Sequence, residues 1–139
     1  MATRRASVEL LATLDDAWRY VSEPYHFPDW WPPVATVRPD RRGLAAGARW
    51  TVRSREASLF RGPEAEDVLV VHEVEPPHRL RFEIVRARVR ADLSLAAVGD
   101  ERTRATLTVS EPFRLSFTRG RLAHDALARL YDLVQTAAS

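Results

Sequence analysis

The chain has no cysteine, no lysine and no asparagine. The first absence excludes disulfides, thiol chemistry and thiolate metal sites. The second makes all 21 basic residues arginine, each charged at any accessible pH, which lifts the pI to about 9.6 while the formal net charge is only +2. Abundant arginine and alanine without asparagine read as codon usage in a GC-rich genome, not as a nucleic-acid footprint. Glycine is scarce, at five residues, and none of them builds a phosphate-cradling loop. No apolar run reaches the length of a membrane span. Met1-Ala2-Thr3-Arg4-Arg5 leads into an apolar stretch broken at Glu9, unlike a secretory signal. The expectation is a soluble, cytoplasmic protein with no stable membrane insertion. What is present is 45% apolar and 29% charged over 139 residues, which suits one domain, 1–139, with a substantial core.

Period-two alternation recurs along the chain. Ala6, Val8, Leu10 and Ala12 alternate with polar residues as a first strand. Thr13 can then cap a helix over 14–22, with Asp15 and Asp16 in its first turn, where the macrodipole favours negative charge. A second short helix over 25–31 stops at Pro32-Pro33. Strands are expected over 34–39, 49–55, 66–75, 79–85, 89–98 and 102–110. In the third of these, Val68, Val70, His72 and Val74 share the inward face. In the next three, Leu80, Phe82 and Ile84, then Ala91, Leu93, Leu95 and Ala97, then Thr103, Ala105, Leu107 and Val109 point inward. A three-residue turn at 99–101 pairs Val98 with Arg102, Leu95 with Ala105 and Leu93 with Leu107. Turns are marked at Arg41-Arg42-Gly43, Gly62-Pro63 and Pro76-Pro77, whereas 86–88 carry no turn signal. Over 120–137 the period changes to 3.6, and Leu122, Ala123, Ala126, Leu127, Leu130, Leu133, Val134 and Ala137 form one face. A face that broad has to lie along a sheet. Strands grouped together and bracketed by helices indicate an α+β fold.

Three of the four tryptophans fall in one early segment, at Trp18, Trp30 and Trp31. The stretch 12–18, the turn Phe27-Pro28-Asp29-Trp30-Trp31-Pro32, the stretch 47–50 and the hairpin Glu73-Val74-Glu75-Pro76-Pro77-His78-Arg79-Leu80-Arg81-Phe82 occur in a characteristic order. In that order the chain resembles the START-like, helix-grip superfamily known as SRPBCC, and within it the polyketide cyclase/dehydrase and lipid-transport group. The resemblance implies a seven-stranded antiparallel sheet wrapped around a long C-terminal helix, with two short helices after the first strand and a cavity between sheet and helix. It does not imply one activity. Members bind lipids, hormones, polyketides or quinones, some catalyse cyclisation or dehydration, and others act without chemistry.

The residues themselves offer sparse chemistry. His72 is the one polar side chain on a valine-lined inward face, where it can bond a ligand carbonyl, act as a general base, or sit as a satisfied core histidine. His26 lies beside Tyr25 on the aromatic segment, His78 in a turn and His124 on the polar margin of the last helix. No pair has metal-ligand spacing, and no metal site is expected. GxSxG and SxxK elements are missing, so the hydrolase readings fall away. Arg88, Arg90, Arg102 and Arg104 share an outer face interrupted by Asp92 and Glu101, without aromatics to stack on bases, so no nucleic acid is expected. Arg119 reaches the apolar helix face if the helix starts a turn early, and is a loop residue if it does not.

The expected ligand is a small hydrophobic or amphipathic molecule, such as a lipid, quinone or polyketide. Its cavity would be lined by Trp18, Trp30, Trp50, Val70, His72, Phe82, Leu93, Leu107, Ala123, Leu130 and Val134, with no cofactor. Against this stands a packed interior in which the large aromatics fill the space, leaving an interaction module of the kind some ribosome-associated relatives represent. Against it also stands a cyclase or dehydratase, with His72 as general base and Arg119 or Tyr25 steadying an enolate. A homodimer through a sheet edge or the aromatic segment is left open.

Overall fold

The computed structural model describes residues 1–55, 66–112 and 121–138. Strand β1 (Ala2–Leu10) leads into helix α1 (Leu14–Val21), a 3-10 turn (Pro24–His26) and a one-turn helix α2 (Phe27–Trp30). Six strands follow: β2 (Val34–Arg38), β3 (Arg49–Ser54), β4 (Glu66–Glu75), β5 (Arg79–Ile84), β6 (Val89–Gly99) and β7 (Arg102–Glu111). Helix α3 (Leu122–Ala138) comes last. The strands form one antiparallel sheet in the order β1-β7-β6-β5-β4-β3-β2, so the first strand closes beside the last. Helix α3 packs on β1 and β7 and against α1 and α2. The arrangement is the expected α+β helix-grip fold. No helix among the described residues is long and apolar enough to cross a membrane.

Local signals explain most of the element ends. The Thr13 side chain accepts the Asp16 N–H at 3.1 Å, capping α1 as its sequence requires. The buried Thr103 hydroxyl donates to the Ala12 carbonyl at 2.9 Å and ties β7 to the link between β1 and α1. Gly43, with φ of 62°, turns the chain out of β2, and its N–H donates to the Asp40 carbonyl at 3.2 Å. The core is one cluster between the inner face of the sheet, α3 and the aromatic segment.

Two β-bulges correct the alternation expected from sequence. In β4 the register shifts between Val71 and Glu73. Leu69 pairs with Ile84 and Val71 with Phe82, and these residues face the core. Val68 and Val70 are half-buried and His72 is exposed. Beyond the bulge the parity reverses, so Val74 again packs against the core. One inserted residue is enough to exchange the faces of a strand. In the β6–β7 hairpin Leu93 meets Leu107 and Leu95 meets Ala105 as expected, but the register shifts beyond Ala97. Arg102 pairs with Gly99 instead of Val98, and Ala97 and Val98 are exposed.

The turn at 86–88, which has no signal of its own, is built from a distance. The Asp67 carboxylate on β4 accepts the N–H groups of Arg86 at 2.8 Å and Ala87 at 2.9 Å. Arg88 completes the turn in the left-handed region at φ of 60°. The Gly62-Pro63 turn lies outside the described residues.

Candidate functional site

The aromatic segment is held by backbone bonds that its prolines cannot supply. Pro24 starts the 3-10 turn, where a missing N–H costs nothing. Pro32 forces Trp31 out of helical geometry, to φ −105° and ψ 96°. Pro32 and Pro33 have no N–H to donate, and the carbonyls of this stretch take their donors from Arg55. Its N–H donates to Pro33 at 2.7 Å, Nε to Pro32 at 3.1 Å and Nη2 to Val34 at 2.9 Å. Residue 55 thus fixes the direction in which Trp30 and Trp31 point.

Five rings gather behind this clamp. Phe27 stacks on Trp31 at 5.7 Å and meets Trp30 and Phe82 edge-on at 5.3 Å each. Trp31 meets Phe82 at 5.2 Å, and Trp50 approaches Phe27 at 6.1 Å. These are the offset and edge-to-face geometries that ring quadrupoles favour. The Trp50 indole N–H donates to the Gly43 carbonyl at 2.7 Å. Trp30 is 0% exposed, and its indole N–H has no hydrogen-bond partner among the described residues.

Beside Trp31, where β3 to β7 run out toward the first turn of α3, lies a pocket of about 130 Å³. Trp31, Val34, Val52, Ile84, Val89 and Leu122 make most of its wall, with Pro33 and Ala87. Three polar side chains join them: Ser54, Asp67 and Glu111. Asp67 accepts three backbone N–H groups, those of Val68, Arg86 and Ala87, so it serves the turn. Glu111 is 1% exposed. It pairs with Ala2 at the end of β7 and continues the inward row of Thr103, Ala105, Leu107 and Val109. The signal was in the sequence, since the same parity runs one step past Ser110.

The residues expected to surround a ligand fall into three places. Trp30, Trp50, Phe82, Leu93, Leu107, Ala123, Leu130 and Val134 are buried in the core, and Trp18 is half-buried against it. Val70 and His72 are on the other face of the sheet, because the β4 bulge sets them there. None of these eleven lines the pocket at Trp31. Tyr25 is 66% exposed, and Arg119 lies outside the described residues.

His72 therefore does not lie at an interior wall. Its side chain is 50% exposed and its Nε2 is 3.0 Å from the Glu83 carboxylate. The neighbouring outer-face charges are also paired: Arg79 grips Asp92 at 3.1 and 2.6 Å, Arg81 meets Glu73 at 3.2 Å and Arg90 meets Glu83 at 3.9 Å. The hydrogen bond to Asp92 raises the Arg79 pKa further. Glu75 and Arg81, bonding to Glu73, hold its carboxyl below the usual range. Arg102 and Arg104 reach Glu9 at 3.8 and 3.4 Å.

Two of the other histidines are tied to backbone. His26 stacks on Tyr20 at 4.2 Å and donates from Nδ1 to the Tyr20 carbonyl at 2.8 Å, since a carbonyl can only accept. Burial, reinforced by the charge of Asp29, raises the Tyr20 phenol pKa. His78 donates from Nδ1 to the Leu95 carbonyl at 3.2 Å. His124 is exposed on α3.

A family model described as polyketide cyclase / dehydrase and lipid transport matches residues 1–137. No curated protein matches the sequence significantly. Among solved structures, a Thermobifida fusca protein is similar with a TM-score of 0.73 and 20% identity, over 99% of this chain and 95% of that one. A Nitrosomonas europaea protein is similar with a TM-score of 0.72 and 17% identity, over 96% and 94%. The di-domain ARO/CYC BexL from the BE-7585A biosynthetic pathway is similar with a TM-score of 0.74 and 16% identity; the match covers 97% of this chain and 47% of BexL. At such identities the likeness is one of fold.

Proposed function

The chain belongs to the polyketide cyclase/dehydrase and lipid transport family, and from that premise we propose that it binds a small, mainly apolar molecule in the pocket beside Trp31. The observation that carries this reading is the pocket itself, an apolar recess of about 130 Å³ between the sheet and the start of α3. An apolar cavity of about 150 Å³ takes up benzene, so the space suits one ring or a short branched chain. A long acyl chain, a polycyclic polyketide or a quinone with its tail would have to displace the rings of Phe27, Trp31 and Phe82. Of the ligands expected from sequence, the smallest are favoured.

Binding is favoured over catalysis by the position of His72. A general base must reach the proton it removes, and His72 is across the sheet, paired with Glu83. The interior residues expected to hold a ligand, Trp30, Trp50, Phe82, Leu93, Leu107, Ala123, Leu130 and Val134, support the pocket from behind as close-packed core.

Fluorobenzene observed by fluorine NMR tests the proposal. Saturable binding in slow or intermediate exchange is expected, weakened at least about tenfold by Val52→Phe or Ala87→Leu, which fill the recess. Absence of saturable binding, or equal affinity in the filled variants, would overturn it.

A further inference from the structure

We propose that the tip of the β2–β3 hairpin is a docking surface for an anionic lipid bilayer, which the protein touches without inserting. The inference does not depend on the pocket beside Trp31; it adds a partner. Charge is where it starts. Residues 38–49 hold four arginines, Arg38, Arg41, Arg42 and Arg49, against one acid, Asp40. These twelve residues carry a formal +3, so the other 127 sum to −1 of the total of +2.

All four arginines are exposed, and among the described residues none of them forms an ion pair. Asp40 does not engage their guanidinium groups, because its two oxygens accept the Arg42 and Arg49 N–H groups at 3.0 and 2.9 Å. Arg42 Nη1 donates to the Gly47 carbonyl at 3.2 Å, an uncharged partner. The outer face around His72 is the opposite case, since Arg79, Arg81 and Arg90 each have a carboxylate there.

The backbone gathers the four at one end of the sheet. Val37 pairs with Val52 and packs on the core, so Arg38, opposite Thr51, takes the outer parity. Arg49, opposite Val70 and next to the buried Trp50, shares that face. Arg41 and Arg42 stand in the turn between them, and β2 is an edge strand that no further strand covers. The remaining tip residues Leu44, Ala45 and Ala46 are apolar, with Leu44 packed partly on the core. Short apolar residues among arginines suit the boundary between head groups and acyl chains. They offer a nucleic acid neither a hydrogen bond to a base edge nor a ring to stack on. Each arginine close to a negatively charged leaflet strengthens binding about fivefold.

Co-sedimentation with vesicles tests the docking, using phosphatidylcholine alone or mixed with about one-third phosphatidylserine. Binding is expected to the mixed vesicles only, and is lost at about 0.5 M salt, where the Debye length is about 4 Å. Arg38→Ser/Arg41→Ser/Arg49→Ser, which keeps the bond from Arg42, is expected to bind the mixed vesicles about a hundredfold more weakly. Arg5→Ser/Arg121→Ser/Arg129→Ser removes the same charge from exposed arginines outside the hairpin, and should change binding by less than about threefold. Should the hairpin variant fail to fold, Arg41→Ser alone is expected to weaken binding about fivefold. Equal losses in the two triple variants would reduce the effect to net charge and overturn the proposal. So would no binding to the mixed vesicles, or tighter binding to a short DNA duplex than to them. None of these results bears on the pocket.

Discussion

Asp40 shows how one short side chain can organise a long connection. Its Oδ1 accepts the Arg42 N–H at 3.0 Å and its Oδ2 the Arg49 N–H at 2.9 Å, spanning the loop between β2 and β3. The Arg49 bond first, and those from Arg42 and Gly43 with it, hold the carboxyl below the ordinary aspartate range. The folded protein therefore keeps Asp40 ionised at pH values where the unfolded chain has taken up its proton. The stabilisation is fully present above the ordinary aspartate range and is lost as the pH falls through the lower, folded value. Thermal unfolding of Asp40→Asn should show a Tm below wild type at neutral pH, with the two converging in acid. A gap that stays constant down to the acid limit would contradict the assignment. At this scale the sequence was legible where a residue acts on its neighbours, as at Thr13. It was misleading where direction depends on a bulge, as at His72. Glu111 runs against the rule that acidic residues lie outside, although it shares the inward parity of Val109.

Among the elements, α3 was the most legible. A 3.6-residue period survives any detail of packing, and its apolar face meets β1 and β7 as a broad face must. Leu130 lies at 0% exposure in the middle of that contact. Leu130→Ala is expected to cost about 2–5 kcal/mol through lost transfer energy and an unfilled hole, measured as a shift in the denaturant midpoint at constant slope. A loss below about 1 kcal/mol would mean that the helix does not bury this face against the sheet. Strand β4 was harder, because Val68, Val70, His72 and Val74 and the alternative row of Leu69 and Val71 are both apolar enough to be inward. Only the cross-strand partners on β5 decide between them. The turn at 86–88 had no readable signal at all, since its anchor, Asp67, is about twenty residues away in sequence.

For the molecule as a whole, element order and the change of period were enough to indicate an α+β sheet closed on a final helix. The position of the pocket was not, because it depends on how five aromatic rings share the interior. Trp30, Trp50 and Phe82 are core, and the space left over lies one residue further along, beside Trp31. That residue is turned inward by Pro32 and held by Arg55, which follows β3, a long-range clamp that composition and period do not reveal. The outer face, which carries His72 and the paired arginines, is a network of short ion pairs exposed to solvent. Such pairs contribute little each and are screened by salt. If the proposed function holds, the recess beside Trp31 is open to an apolar guest. A crystal pressurised with xenon tests it most directly, because xenon enters dry cavities of this size without needing a polar partner. One well-occupied xenon site bounded by Trp31, Val52, Ile84 and Leu122 is expected, reduced or lost in Val52→Phe. An empty recess, with xenon found only elsewhere in the crystal, would contradict it.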